Sequence, residues 1–259
     1  MPADHLLAER APADRSGSSG RAAGIPHYLI EQYAWAYLHP AGIALFDHPW
    51  IVNLILWGNF RRLRQAALDA LGPGELSGRT LQVACVYGDL TARLAARLDA
   101  DGALDVIDVV PQQLAKLHGK VVHDARVALR RANSEELGGP DGRYDRALIF
   151  FLLHEQPEAV RSATLREAIR VVRPGGRIVI VDYHRPVRAH PLRYLMWPVL
   201  HWLEPFALDL WRHDLQRWLP DGCCEIEHRQ QFFGGLYQML VLNVRDARAT
   251  RHSGAVRAA

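Results

Sequence analysis

Two clusters of polar side chains follow two apolar runs. Tyr144-Asp145-Arg146-Ala147-Leu148-Ile149-Phe150-Phe151-Leu152-Leu153 delivers His154-Glu155-Gln156-Pro157, and Arg177-Ile178-Val179-Ile180-Val181-Asp182 delivers Tyr183-His184-Arg185-Pro186. Both runs read as strands of a parallel sheet, so these residues stand at the carboxyl ends of expected neighbours. Open α/β sheets place their ligands there. His154, Glu155, Asp182 and His184 are nitrogen and oxygen donors suited to a divalent cation. His154, Tyr183 and His184 are also the side chains able to move a proton. One strand-end histidine alone is more often hydrogen-bonded scaffold. Four such groups beside a cofactor pocket point to function.

The cofactor pocket is read from a second stretch. Arg79–Val83 forms a short buried strand, the turn Ala84-Cys85-Val86-Tyr87-Gly88 follows, and a helix is expected through Ala92–Leu98. A further strand, Ala103–Val110, carries Asp108 near its tip. Strand, turn, helix and acid-tipped strand make a Rossmann-type unit for an adenosyl ligand, the acid suiting ribose hydroxyls. Such turns are usually glycine-rich, which lets the backbone touch the ligand. Here only Gly88 survives, and Cys85, Val86 and Tyr87 stand before it. Cys85 reads as a small packed side chain, since nothing adjacent marks it as a nucleophile.

The elements that must hold these groups follow from the rest of the chain. In 259 residues, 49% apolar, there is enough material for one good core with extensions. Residues 1–24 read as a disordered tail and 246–259 as a basic tail. Between them one domain is expected over 25–245, divided into an aromatic helical lid (25–77), an α/β core (78–187), an apolar helical insertion (188–220) and an antiparallel hairpin (221–245). The lid carries Tyr28, Tyr33, Trp35, Tyr37, Phe46, Trp50 and Trp57, and the insertion Trp197, Trp202, Trp211 and Trp218. Pro174-Gly175-Gly176 is expected to stop a helix before the fifth strand. The net charge of +3 comes without aromatic-basic interleaving, so no nucleic-acid partner is expected. Three cysteines make no disulfide framework. With no secretory leader pattern and no run of eighteen apolar residues, a cytoplasmic protein is expected.

The ordered motifs resemble those of class I S-adenosylmethionine-dependent methyltransferases over about residues 30–245. The quinone-modifying branch is nearest, through Asn53–Asn59, Asn133-Ser134-Glu135-Glu136-Leu137 and the passage Arg173–Pro186. Departures are specific: Gln82 replaces the usual acid, Cys85 and Val86 replace glycines, and His184 replaces a serine. Val83–Leu90, Phe150–Pro157, Val181–Pro186 and His190–Tyr194 together resemble the rhodoquinone-biosynthesis family, RquA. That resemblance implies conversion of ubiquinone to rhodoquinone, a ring methoxy group giving way to an amino group drawn from S-adenosylmethionine, with manganese (Mn2+) required.

The resemblance also implies roles. Asp108 would hold the ribose, Val109 would pack on the adenine, and Asn133 with Ser134 would meet its edge. Ala84, Val86, Tyr87 and Gly88 would face the methionine part, with Phe150 and Phe151 completing the lining. The substrate would be a quinone reached from a membrane surface by a peripherally associated protein. Two alternatives stand beside this reading: an ordinary quinone methyltransferase, and a non-catalytic module that binds the cofactor or quinone.

Overall fold

In the computed structural model the described residues are 24–31, 48–85 and 88–246. The β4 strand (Tyr144–Phe150) shows why the core is a parallel sheet: Ala147, Leu148, Ile149 and Phe150 are all buried, on both faces of the pleat. It sits centrally in seven strands ordered β3-β2-β1-β4-β5-β7-β6. These are β1 (Leu76–Val83), β2 (Leu98–Asp108), β3 (Val127–Arg131), β5 (Val172–Tyr183), β6 (Cys224–Phe232) and β7 (Tyr237–Val244). The first five strands pair in parallel, and β7 pairs antiparallel with both β5 and β6. This is the expected Rossmann-like, doubly wound α/β sheet with its C-terminal antiparallel hairpin. The chain reverses its direction of travel across the sheet between β1 and β4, and that switch point opens a crevice beyond their carboxyl ends.

Helices flank the sheet: α1 (Pro49–Ile55), α2 (Phe60–Leu71), α3 (Leu90–Ala95), α4 (Pro111–Val121), α5 (Glu158–Val171), α6 (Leu192–Leu203) and α7 (Ala207–Arg212). Residues 27–31 are helical as well. On α2 the buried residues are Phe60, Leu63, Arg64, Ala67, Leu68 and Leu71, spaced as one stripe of a 3.6-residue period. Proline opens α1 and α4, where a first-turn N–H has no intrahelical partner to lose.

Three boundaries differ from the sequence reading. Leu98 begins β2 instead of ending a helix, because it pairs with Leu76 across a register shift. Pro174-Gly175-Gly176 lies inside β5, where the register with β4 jumps from Val172 to Arg177. There Gly176 packs so closely on Val172 and the Asp145 carbonyl that a side chain would collide. The strand expected to reach Leu153 ends at Phe150, since Phe151 turns to φ 50° and Leu153–Glu155 coil into a 3-10 turn. The aromatics Tyr33, Trp35, Tyr37 and Phe46, the first 23 residues and the tail from 247 lie outside the described residues.

Candidate active site

The cleft at the switch point takes its walls from four strand ends. Ala84 and Cys85 follow β1, Asp108 to Val110 close β2, Ala132 to Ser134 follow β3, and Phe151, Leu152, Glu155 and Gln156 follow β4. Tyr28 and Leu29 cover it from the helical turn. Of the expected cofactor residues, Ala84, Asp108, Val109, Asn133, Ser134 and Phe151 line it. Val86 and Tyr87 lie outside the described residues. Two expectations are corrected. Phe150 is buried in the core, edge-on to Phe60 at 6.2 Å, because its strand position faces inward. Gly88 is not in the cleft wall: it packs against Phe60, and its carbonyl accepts a hydrogen bond from Lys120 Nζ at 3.0 Å.

The floor of the cleft is strained and pinned. Ala84 holds φ 70°, a left-handed conformation costing an alanine about 1–2 kcal/mol. Gln82, standing where an acid is usual, donates from Nε2 to the Ala84 carbonyl at 3.0 Å and holds the turn. Cys85 N–H donates to Asp108 Oδ2 at 2.7 Å, and Val110 N–H donates to Asp108 Oδ1 at 2.8 Å. Burial raises the Asp108 carboxyl to about 6 against these backbone donors. Burial, reinforced by Asp108, pushes the Cys85 thiol up, so it stays a neutral packed group.

Cys85, within the turn expected to face the methionine part, lines the cleft, and Gln156, Tyr28 and Gln113 line it without a cofactor role expected from the sequence. Gln156 Nε2 donates to Ser134 Oγ at 3.0 Å, and Ser134 Oγ pairs with Thr164 Oγ1 at 2.8 Å. Gln156 Oε1 is buried with no hydrogen-bond partner among the described residues, an acceptor ready for a ligand amino group. Asn133 is folded back on Glu135 through its own side chain. The signals were partial: Gln156 stood in the quoted His-Glu-Gln-Pro motif and Tyr28 among the lid aromatics.

Behind Phe151 and Glu155 lies a second cluster. His154 Nδ1 and Asp182 Oδ1 are 2.9 Å apart, and both residues are buried. Leu153 and His154 N–H also donate to Asp182 Oδ2, and Tyr183 N–H donates to Oδ1. Burial pulls the His154 imidazole down, but the charge and hydrogen bond of Asp182 outweigh it and lift the group to about 9. The ring is framed edge-on by Phe151 at 5.9 Å and Tyr183 at 4.9 Å. Burial holds the Tyr183 phenol well above its usual range, which makes it a hydrogen-bond donor and not the proton acceptor expected.

The four expected metal ligands do not converge. His154 Nε2 comes within 3.8 Å of Glu155 Oε1, but Asp182 is already occupied by His154 and three backbone donors. β5 ends at Tyr183, so His184 leaves the pleat. Its N–H donates to the Leu236 carbonyl and its Nδ1 bonds the Gly235 carbonyl at 2.8 Å. His184 is therefore corrected from metal ligand and catalytic group to a brace of the hairpin corner. Among the described residues no three His, Cys, Asp or Glu side chains are grouped to hold a metal ion. The donor set as folded does not fit manganese, whereas the cleft fits an adenosyl ligand: a carboxylate at the β2 tip, an unpaired acceptor at Gln156 and a tight turn after β1.

One further residue positions both clusters. Arg161 on α5 is fully buried, donating to the carbonyls of Leu153 (2.9 Å), Gln156 (2.9 Å) and Phe206 (3.0 Å). Its guanidinium lies 4.4 Å from the Trp218 ring centre. It thereby locks the 153–156 turn to the insertion.

Comparison with known proteins agrees with this geometry. Residues 80–176 match a family model described as a methyltransferase domain. The chain is 29% identical over 196 residues to the ubiquinone/menaquinone biosynthesis C-methyltransferase UbiE of Geobacter sp. (strain M21), covering 74% of this chain and 82% of that protein. It is 28% identical over 173 residues to demethylmenaquinone methyltransferase of Lactiplantibacillus plantarum, covering 64% and 70%. Among solved structures, geranyl diphosphate C-methyltransferase of Streptomyces coelicolor A3(2) superposes with a TM-score of 0.59 at 11% identity, over 86% of this chain and 100% of that one. The N-methyltransferase NodS of Bradyrhizobium japonicum WM9 gives 0.54 at 14% identity, over 72% and 96%. The fold is a Rossmann-like methyltransferase fold.

Proposed function

We propose that this protein binds S-adenosylmethionine in the switch-point cleft and modifies the ring of a polyprenyl quinone. Similarity to quinone C-methyltransferases across three-quarters of the chain carries the reading, and it supports methyl transfer to a ring carbon most directly. Asp108 and Gln156 would orient the nucleoside, with Tyr28 and Phe151 shutting out water. The bound cofactor supplies an electrophilic methyl group or, in the second reading, its amino nitrogen.

His154, lifted to about 9 and anchored on Asp182, is protonated at neutral pH. Its Nε2–H would donate to an oxygen on the quinone ring. In methyl transfer this favours the phenolate that makes the ring carbon nucleophilic. In amino transfer it polarises a quinone carbonyl toward attack.

Amino transfer to ubiquinone, giving rhodoquinone, is the second reading. The observation favouring it is the rebuilt turn, where Ala84, Cys85 and the Gln82 brace stand in a glycine loop. That family's manganese has no matching donor set among the described residues, so no step is routed through it.

One reaction separates the readings. Purified protein is given either the chemically reduced quinol with an open ring position, whose phenolate makes the ring carbon nucleophilic, or the methoxy-bearing quinone, and cofactor labelled with carbon-13 in the methyl group and nitrogen-15 in the amine. Carbon-13 in the lipid establishes methyl transfer. Nitrogen-15 with loss of methoxy establishes amino transfer. Neither label, with cofactor binding intact, leaves the non-catalytic module. Peripheral membrane contact is the companion proposal, supported by tryptophans exposed on α1 and α6. No helix among the described residues is long and apolar enough to cross a membrane.

A further inference from the structure

A second cleft lies between the end of β5, α6 and α7, away from the cofactor residues. Three guanidiniums line it, Arg185, Arg193 and Arg212. Arg193 Nη1 donates to the Pro186 carbonyl at 2.8 Å, and Arg212 has one distant carboxylate, Asp209 at 3.5 Å. Arg185 is exposed and has no hydrogen bond or ion pair among the described residues. Trp211 lines the same cleft at 7% exposure, and its indole N–H is buried with no acceptor. Three guanidiniums in one wall suit an anionic ligand.

The surroundings say what carries that anion. Tyr194 and Trp197 form apolar wall, and the same α6 helix exposes Leu195, Val199, Trp202 and Leu203 to solvent, Trp202 by 80%. Tryptophan, tyrosine and arginine beside exposed leucines is the composition of a helix lying in a membrane interface. A soluble phosphate explains the guanidiniums but not this apolar rim.

We infer that the Arg185–Arg193–Arg212–Trp211 cleft is a headgroup site for the phosphate of an acidic phospholipid, seating α6 in the bilayer interface. The inference deepens the membrane part of the proposed function and is independent of which group is transferred.

Flotation of the full chain with vesicles tests it, comparing phosphatidylcholine alone with phosphatidylcholine plus phosphatidylglycerol. The wild type binds the phosphatidylglycerol vesicles preferentially. Arg185→Gln weakens that binding about fivefold, and the double change Arg185→Gln with Arg212→Gln weakens it by about twentyfold. Arg166→Gln, the same charge change on α5, alters it by less than about twofold, because charge effects fade within a Debye length. Cofactor binding by Arg185→Gln stays at the wild-type value, which separates a lost lipid site from a misfolded protein. Equal binding to both vesicle types, or equal losses for Arg185→Gln and Arg166→Gln, overturns the headgroup site while leaving apolar membrane contact standing. No vesicle binding at all overturns both. Inorganic phosphate that quenches tryptophan fluorescence in wild type but not Trp211→Phe, without vesicle binding, assigns the cleft to a soluble phosphate and overturns the lipid.

Discussion

Asp105 and Asp108 stand three residues apart on β2, and their surroundings are opposite. Asp105 Oδ2 accepts from the Tyr144 hydroxyl at 2.7 Å and lies 3.2 Å from Arg143 and 3.5 Å from Arg79. Nearby, Asp145 accepts from Arg173 Nε and from Arg79 N–H, both at 2.7 Å. Asp105 within β2 and Asp145 at the start of β4 are thus neutralised by guanidiniums. Toward the carboxyl ends Asp108 and Asp182 are held by backbone N–H groups, and among the described residues neither pairs with lysine or arginine. Backbone donors fix a carboxylate in place without cancelling its charge, so that charge remains to act on a ligand or a histidine. The guanidinium-paired acids hold the sheet together; the acids at the tips of β2 and β5 keep their charge for chemistry.

The largest effect that would sharpen this contrast is at His154. His154→Gln keeps a polar group of similar length but removes the cation, and turnover should fall by about 10²–10⁴-fold with cofactor affinity unchanged in calorimetry. A loss of less than tenfold removes the imidazole from the chemistry. Next comes Arg161→Met. The apolar replacement leaves the carbonyls of Leu153, Gln156 and Phe206 unpaired, so stability should drop by about 2–4 kcal/mol in urea titration. Affinity for the cofactor should fall with it, since Gln156 loses its anchor. A smaller split is expected within β2. Asp108→Asn should weaken cofactor binding about 10–100-fold, whereas Asp105→Asn should leave binding alone and cost about 1–3 kcal/mol of stability. Equal losses of binding would erase the distinction between the two acids.

The mostly parallel sheet with its closing hairpin and the cleft residues Ala84, Asp108, Val109, Asn133 and Ser134 are legible because they rest on local pattern: apolar runs, an acid at a strand tip, a turn before a helix. What the chain hid was set by contacts distant in sequence. Arg161 reads as a surface arginine on α5, and only Trp218 and Phe206, arriving from the insertion, bury it. His184 groups with Asp182 in the sequence because both follow one apolar run, yet β5 ends at Tyr183 and the next residue turns to the Gly235 carbonyl. Phe150 and Phe151 are indistinguishable as letters; a single left-handed residue sends one into the core and the other into the cleft.

The mildest test uses pH. Asp108, raised to about 6 from an ordinary value near 4, binds more protons folded than unfolded between those values. Its contribution to stability therefore declines as pH rises from about 4 to 6, the ionised acid being the buried one. An adenosyl ribose donates to that ionised form, so cofactor affinity should weaken as pH falls below about 6. His154, raised to about 9 from about 6.5, has the opposite use for its proton. The stabilisation it draws from Asp182 is complete below about 6.5 and lost as pH rises through 9. If the protonated imidazole acts on the ring, turnover falls above about 9 by about tenfold per unit. The profile should be a bell whose acid limb disappears in Asp108→Asn and whose basic limb disappears in His154→Gln. A basic limb that survives in His154→Gln belongs to another group, and the charge kept at the carboxyl edge would then serve binding alone.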